Sequence, residues 1–452
     1  MTFTTRQIAD AADLIDPLLR LGSIYARVPG IAFGLSYETT NVLLGGYGLA
    51  DVERDVPVEV DTTRFRCASI TKSFTATLIM RLVERRKLRL DDAVSSILPW
   101  VRRSIGDDVT VRHLLSHSAG MIRDGSNAWD DRTMPDRTKF RTEMRQGATF
   151  AEPAERFRYS NTAYSLLGEI IENSSGHSFE AALMREIARP LQMQSTSADL
   201  TPAARRRLAT GYYAARPTEQ RLPAAHVQAR AVAPAGGLVS TVPDLLAYQR
   251  AHLPGNTSLL SELSKREMQR TQFQRGEEPH YGLGWMNWTV DGIKVVGHSG
   301  GFPGFITKIG FAPSEGVAVA VLTNANSPYA GIGLQTIYHV LSQVRTRWSE
   351  AEASSEWHTR GSLRPFVGLY RGQFADDVLV ARINGSLYVI DGASEAPLAQ
   401  PDRLLPRGPR RFLIADGNDF GNVGEEVVFN LDQGGRVNSL AIGGIVLERV
   451  AF

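Results

Sequence analysis

The chain is poor in cysteine and in long apolar runs, and each shortage excludes a class of structure. Cys67 is the single cysteine among 452 residues, which excludes an intramolecular disulfide and a thiolate zinc site. The longest apolar runs, such as Val317 to Leu322, are far shorter than the roughly 20 residues that cross a bilayer. We therefore expect no membrane span.

The sequence shows no large excess of positive or negative charge and no recognisable leader segment. The net charge is +2, and no basic run carries interleaved aromatics, so nucleic acid is not an expected partner. The first six residues show no charged segment followed by an apolar one, so no signal peptide is evident and a cytoplasmic location is expected. The composition, 43% hydrophobic and 22% charged, is typical of globular proteins, and the length suggests two or three domains.

Lysine is scarce, with six lysines against 44 arginines, and one lysine stands three residues after a serine. The segment Ser69-Ile70-Thr71-Lys72 opens a long apolar stretch that predicts a helix, and this spacing places both side chains on one helical face. A neutral lysine can accept the serine proton, whereas a guanidinium cannot lose its charge. The alternative is a serine that caps the helix and a solvated lysine. The motif favours covalent acyl-transfer catalysis.

Tyr159-Ser160-Asn161 precedes a second predicted helix, from Ala163 to Glu172. A phenol beside a lysine can share its proton, so Tyr159 is a candidate base for Ser69 and a candidate acid for the leaving group. The Asn161 amide is suited to contact a substrate carbonyl and Lys72. The alternative is a half-buried tyrosine followed by a helix cap.

A third segment, from Gly297 to Gly301, follows a strand-like run. Its glycines allow a substrate backbone to approach a strand edge, so Ser299 and Gly300 are candidate substrate-binding residues. His298 is a candidate donor to a substrate carboxylate, or a residue that returns a proton. The backbone N–H groups of Ser69 and Gly301 would form an oxyanion hole. The alternative is a glycine-rich turn with an incidental histidine.

Periodicity predicts the architecture around these segments. A helix is expected over residues 8–27, with a further helix over 331–343. Strands are expected near residues 30–35, 42–47, 285–290, 293–296, 307–311 and 317–322, with helices between the first two and the rest. Strands at both ends of a helical insertion predict one sheet that the returning chain completes. The polar segment 346–362 is predicted as a linker. The Asn384-Gly385 hairpin, with further short strands at 426–430 and 445–450, predicts a small antiparallel barrel or sandwich over 363–452.

Taken together, the three segments resemble the serine β-lactamase and penicillin-binding-protein superfamily, near class C β-lactamases, DD-carboxypeptidases and D-aminopeptidases. The order Ser-x-x-Lys, Tyr-x-Asn and His-x-Gly matches, and the resemblance covers roughly residues 8–345. Further stretches that look like the family are 114–120, 235–240 and 281–285. The resemblance implies an α/β domain with an antiparallel sheet flanked by helices, an all-helical lobe, and a cleft between them, which makes residues 1–345 the catalytic domain. It also implies that Ser69 is the nucleophile and that Lys72 and Tyr159 form a coupled acid–base pair. His117 lies outside the motifs, and we expect a structural hydrogen-bonding role for it.

The third motif narrows the expected acyl donor. His298 stands where class C β-lactamases carry lysine. A histidine at this place resembles DD-peptidases, D-aminopeptidases and the penicillin-binding-protein-type thioesterases that cyclise peptides. The tail resembles a lipocalin-like barrel, in which Arg449 would clamp a carboxylate unless it is an ordinary strand arginine. We expect a peptidase or amidase acting on short peptides with D-residues, and no cofactor. One alternative is a penicillin-binding-protein-type thioesterase or peptide cyclase, whose substrate would be bound to a carrier protein. The others are a carboxylesterase, a β-lactamase, and a ligand sensor that is acylated once without turnover. The oligomeric state stays open.

Overall fold

The structure is a computed structural model, and it describes most of the chain in nine stretches. These are residues 3–125, 133–214, 220–274, 280–346, 363–372, 377–383, 385–391, 401–416 and 423–450. The chain divides into two compact units, Ala26–Leu334 and a second unit of Met1–Tyr25 with Gln335–Phe452. The predicted linker lies almost entirely outside the described residues, and the domain boundaries at 345 and 363 stay predictions.

Helices and strands are numbered in chain order. The helices are α1 (Thr5–Tyr25), α2 (Thr71–Glu84), α3 (Val94–Ile97), α4 (Arg102–Ile105), α5 (Val111–Leu115), α6 (Arg137–Arg145), α7 (Asn161–Ser175), α8 (Phe179–Leu183), α9 (Pro202–Arg205), α10 (Ala233–Gly236), α11 (Val242–Arg250), α12 (Glu262–Gln269) and α13 (Tyr329–Thr346). The strands of the first unit are β1 (Gly30–Tyr37), β2 (Thr40–Asp51), β3 (Val56–Pro57), β4 (Phe65–Arg66), β5 (Tyr212–Tyr213), β6 (Leu222–Pro223), β7 (Val239–Ser240), β8 (His280–Tyr281), β9 (Met286–Val290), β10 (Ile293–Phe302), β11 (Phe305–Ala312) and β12 (Val317–Thr323).

An eight-stranded antiparallel sheet forms the frame of the first unit, in the order β3-β2-β1-β12-β11-β10-β9-β8. The returning strand β12 pairs with β1 from Ile31 opposite Thr323 to Tyr37 opposite Val317, which confirms the predicted completion of the sheet. Strand β12 is buried along its whole length, as its uninterrupted apolar run requires. Helix α11 packs on β1 and β12, and Gly34 leaves the space that Val242 fills.

The helices that pack around α7 form the lobe beside the sheet: α2, α3, α5, α8 and α10. Helices α2 and α7 pack against each other at its centre. Helix α2 is enclosed by other elements, and its residues from Thr71 to Met80 are all buried, the polar ones included. The antiparallel sheet flanked by helices therefore agrees with the predicted fold class. None of the helices among the described residues has both the length and the apolar content needed to cross a membrane.

A closed eight-stranded barrel belongs to the second unit. Its strands are β13 (Gly368–Arg371), β14 (Val378–Ile383), β15 (Ser386–Asp391), β16 (Asp402–Pro406), β17 (Arg411–Asp416), β18 (Glu426–Leu431), β19 (Val437–Ile442) and β20 (Ile445–Val450). Each strand pairs antiparallel with the next, and β20 closes the barrel onto β13. Rings of Phe366, Phe412 and Phe429 meet inside at centroid distances of 4.7 to 5.6 Å. The predicted antiparallel barrel and its hairpin from Ile383 to Ser386 are confirmed, while its likeness to lipocalins stays a prediction.

Candidate active site

Ser69 stands in a short 3-10 turn, Ala68–Ile70, that joins strand β4 to helix α2. Ala68 has a φ of +49°, a left-handed conformation that is uncommon for alanine and turns the chain sharply before Ser69. The preceding residue is held on both sides, because Cys67 N–H donates to the Leu238 carbonyl at 2.8 Å and Thr307 Oγ1 donates to the Cys67 carbonyl at 3.1 Å. The serine is thus presented, half-buried, from a backbone anchored to the sheet.

Lys72 lies fully buried one turn after Ser69. Its Nζ is 3.0 Å from Ser69 Oγ, 2.7 Å from Asn161 Oδ1 and 2.7 Å from the Ala235 carbonyl oxygen. Burial holds the pKa of Lys72 well below its ordinary value, because the charged ammonium loses its hydration. A neutral amine has two N–H groups for the Asn161 and Ala235 oxygens, which leaves its lone pair to face Ser69 Oγ.

Tyr159 approaches the same serine from the segment before α7. Its side chain lies close enough to Ser69 for the serine to influence the pKa of the phenol, and its ring centroid lies 4.7 Å from Lys72 Nζ. Burial raises the pKa of Tyr159 above its ordinary value, so the phenol keeps its proton at neutral pH. Burial therefore favours the neutral form of both candidate bases, and only the neutral lysine has a lone pair of useful basicity.

Helix α7 positions Asn161 and Tyr159 through its N-terminus. Ser160 is the N-cap, and its Oγ accepts from Ala163 N–H at 2.9 Å and donates to the Ile122 carbonyl at 2.6 Å. His117 Nδ1 accepts from Ser160 N–H at 3.1 Å, and its ring lies against that of Tyr159 with centroids 4.3 Å apart. These contacts agree with the structural role predicted for His117.

His298 is fully buried, and both of its ring nitrogens have protein partners. Nδ1 is 2.6 Å from the Ser299 carbonyl oxygen, which only accepts, so Nδ1 carries the proton and Nε2 accepts from Tyr281 O–H at 3.0 Å. Burial, the largest cause, lowers the pKa of His298 to about 3, so the ring is neutral. The ring is therefore engaged by the protein, and its predicted donation to a substrate stays a prediction.

The segment from Gly297 to Gly301, expected to follow a strand that ends at Val296, is instead the second half of β10, so the expected end of that strand was wrong. Pairing with β9 ends at Gly297 opposite Met286, whereas pairing with β11 continues to Phe302 opposite Phe305. A Cβ at Gly300 would lie 2.1 Å from the Cys67 carbonyl oxygen, so the strand packs directly on the Ser69 turn. This close packing requires glycine at position 300, and a contact of Gly300 with substrate stays a prediction.

These elements surround one cavity of about 480 Å³. Its lining brings together the predicted residues Ser69, Tyr159, Asn161, His298, Ser299 and Gly301. Lys72 lies behind this surface, within hydrogen-bonding distance of Ser69. The structure therefore places residues from three distant segments of the sequence around one nucleophile.

Arg449 lies in strand β20 of the barrel. Its guanidinium donates to the backbone carbonyls of Pro365, Val437 and Val367 at 2.6 to 3.2 Å. These bonds hold β20 to the segment before β13 and to β19, so the arginine has a structural role in the barrel. Its predicted contact with a substrate carboxylate stays a prediction.

Sequence reasoning assigned no role to three residues that complete the site. Asp124 lines the cavity and accepts from Asn161 Nδ2 at 2.7 Å, Tyr281 binds His298, and the Ala235 carbonyl accepts from Lys72. Tyr281 and Ala235 stand in stretches that resembled the family, which was the available signal for them. Asp124 stands in a loop without a recognisable motif.

Comparison with known proteins agrees with this geometry. The Beta-lactamase family model matches residues 12–340, which is most of the chain. This chain belongs to the Beta-lactamase family. Members of this superfamily are serine hydrolases, and the match spans the three segments that meet at the cavity.

One curated protein and two solved structures illustrate what this chain is similar to. Penicillin-binding protein 4 of Amycolatopsis lactamdurans is 28% identical over 321 residues, covering 66% of this chain and 81% of that protein. The octameric penicillin-binding protein homologue from Pyrococcus abyssi has a TM-score of 0.64 at 25% identity and covers 94% of this chain and 97% of its own. SurE with D-Leu has a TM-score of 0.59 at 25% identity and covers 97% and 99%. The two structural likenesses extend over nearly the whole chain, beyond the part that the family model matches.

Proposed function

We propose that this chain is a serine peptidase or amidase that acts on short peptides containing D-residues through an acyl-enzyme at Ser69. The observation that carries the proposal is the 3.0 Å contact between Ser69 Oγ and Lys72 Nζ, in which burial keeps the lysine neutral. Lys72 takes the serine proton as Oγ attacks the substrate carbonyl carbon. The resulting oxyanion is stabilised by the backbone N–H groups of Ser69 and Gly301.

The leaving amine needs a proton when the scissile bond breaks. Tyr159 is the proposed donor, because it lines the cavity beside Ser69 and its raised pKa keeps the proton on its hydroxyl. Proton transfer from the Lys72 ammonium to the phenolate then restores both groups. In deacylation, water attacks the acyl carbon while Lys72 takes a proton from it. The bond between the acyl carbon and Oγ then breaks, and Oγ regains a proton, which frees Ser69.

Two observations support a peptide substrate with D-residues. The edge of β10 beyond Gly297, which β9 leaves unpaired among the described residues, suits an extended peptide that pairs with the strand. The likeness to SurE with D-Leu supports D-residues in the substrate.

The test is to measure intact mass and product release on a panel of probes. The panel holds matched D-Ala and L-Ala dipeptides and p-nitroanilides, a p-nitrophenyl ester, a peptidyl thioester and a chromogenic cephalosporin. We expect steady turnover of the D-configured amides and a transient mass gain on Ser69. Turnover of esters alone would identify a carboxylesterase, ring closure of the thioester a cyclase, and one lasting adduct without product a sensor.

Replacing Tyr159 with phenylalanine is expected to lower kcat for amides about 10² to 10³-fold, since a lost general acid costs that much. Esters depart without a proton, so their hydrolysis is expected to fall less. The measurement compares kcat for a D-Ala p-nitroanilide and a p-nitrophenyl ester in the wild type and in Y159F. The variant Y213F, made on the half-buried Tyr213 of β5, is the matched control. Equal losses on both substrates would contradict the role of acid.

A further inference from the structure

The Asn161 amide links the buried lysine to a carboxylate on the cavity wall. Its Oδ1 accepts from Lys72 Nζ at 2.7 Å, and its Nδ2 donates to Asp124 Oδ1 at 2.7 Å. A carboxylate oxygen only accepts, so the amide nitrogen must face Asp124 and the amide oxygen must face Lys72. Asp124 thereby fixes the orientation in which Asn161 turns its amide oxygen toward Lys72.

The orientation of the Asn161 amide determines whether the Lys72 lone pair faces Ser69. An amide oxygen takes one N–H of the neutral amine, and the Ala235 carbonyl takes the other, which leaves the lone pair for Ser69. A flipped amide would present N–H groups to Lys72 and compete with the serine for that lone pair. The 2.7 Å bond from Asn161 to Asp124 disfavours the flip.

Asp124 also carries charge close to the lysine. The side chain is 28% exposed and lies 3.4 Å from the Arg123 guanidinium, which is 71% exposed. The other titratable or charged groups that face Lys72 come from the segment before α7, from α7, from β10 and from the loop before Asp124: Tyr159, Tyr164, His298 and Arg123. Of these neighbours, the two tyrosines and the histidine are neutral, and Arg123 is positive and well solvated. Asp124 supplies the negative charge that opposes the effect of burial on the lysine.

We propose that Asp124 is a positioning residue for the Ser69 reaction, whose carboxylate orients the Asn161 amide and so directs the Lys72 lone pair at the serine. This inference rests on the proposed role of Lys72 as the base. It goes beyond that role because it makes the orientation and protonation of Lys72 depend on a residue of the cavity wall. Since Asp124 lines the cavity, a charged substrate group bound beside it would change the pKa of Lys72 as well.

The charge of Asp124 is tested by D124N, which keeps an acceptor oxygen for Asn161 and removes the negative charge. The probe is diethyl p-nitrophenyl phosphate, because it needs only an activated serine. Ser69 Oγ bonds to phosphorus, p-nitrophenolate leaves, and Lys72 takes the serine proton. Without the carboxylate the ammonium is less favoured, so the acid limb of the modification rate is expected to move to lower pH by about one unit.

The orienting role is tested by D124A, which removes the acceptor as well. We expect the plateau rate above the acid limb to fall about tenfold, because Asn161 is then free to flip. D61N, on the exposed Asp61, is the matched control for a lost surface charge and is expected to match the wild type. Thermal unfolding of each variant shows that it is folded.

The outcomes separate this inference from the proposed function. A shifted acid limb in D124N with a lower plateau in D124A supports it. Unshifted profiles in both variants would overturn it, and so would a lower plateau in D124N without any shift, since that pattern indicates a merely structural residue. Failure of the wild type to be modified at Ser69 would contradict the proposed function itself.

Discussion

Replacing Ser69 with alanine is expected to lower kcat/KM by about 10⁴-fold or more, because the nucleophile of a covalent mechanism is lost together with the group that Lys72 and Tyr159 act on. The residual rate would come from the oxyanion hole and from binding alone. The measurement is kcat/KM on whichever probe the wild type turns over, with intact mass recorded in parallel. We expect no mass gain in S69A with any probe that labels the wild type.

Ser73 offers a matched control for that experiment. It stands one turn further along α2, is buried like its neighbours, and donates from Oγ to the Ile70 carbonyl at 2.9 Å. S73A therefore removes a serine hydroxyl four residues from Ser69 without touching the cavity, and its kcat/KM is expected to stay near that of the wild type. Turnover by S69A within tenfold of the wild type would remove the basis for an acyl-enzyme.

The second large effect is expected at Lys72, where K72R should lower kcat about 10³-fold, since the guanidinium stays charged and cannot accept the serine proton. K72M removes the amine altogether and is expected to be equally slow. Agreement between the two variants would assign the loss to missing basicity, because their size and charge differ. The measurement is kcat for the best amide and ester substrates, with thermal unfolding to confirm that each variant is folded.

The pH profile gives Lys72 a second readout. Its pKa is lowered by burial, so the reactive neutral form is present above the lowered pKa and is lost as the pH falls through it. The wild-type rate should therefore be flat through neutral pH and decline on the acid side. K87R, on the exposed Lys87 just beyond α2, is the matched control. A rate that rises only near the ordinary pKa of lysine would contradict a neutral base.

The predictions from sequence were most accurate where neighbouring residues carry the information. A spacing of three on a helix places Ser69 and Lys72 on one face whatever surrounds them, and the two side chains do meet. Alternation and apolar runs likewise predicted β1, β12 and the helices α2 and α7 close to their observed bounds. The Asn384-Gly385 turn predicted the hairpin that joins β14 to β15, because such a turn tolerates few other residues.

Other features depended on contacts between distant segments. Four barrel strands, β13, β16, β17 and β19, were not predicted, because their short segments carry weak alternation and pair only within the closed barrel. The length of β10 also escaped prediction, since its glycines resemble a turn until they pack on the Cys67 carbonyl. Asp124 had no motif, and its importance appears only when Asn161 lies 2.7 Å away.

The sequence by itself determined the nucleophile and its helix neighbour, the chemistry open to them and the order of the three segments, because local spacing and residue type are sufficient for each. Only the tertiary structure decided that Lys72 is enclosed and neutral, that Tyr159 keeps its proton and that Asn161 is held by Asp124. Burial and hydrogen bonding set the protonation state of a side chain, and both arise from residues that lie far apart in the chain.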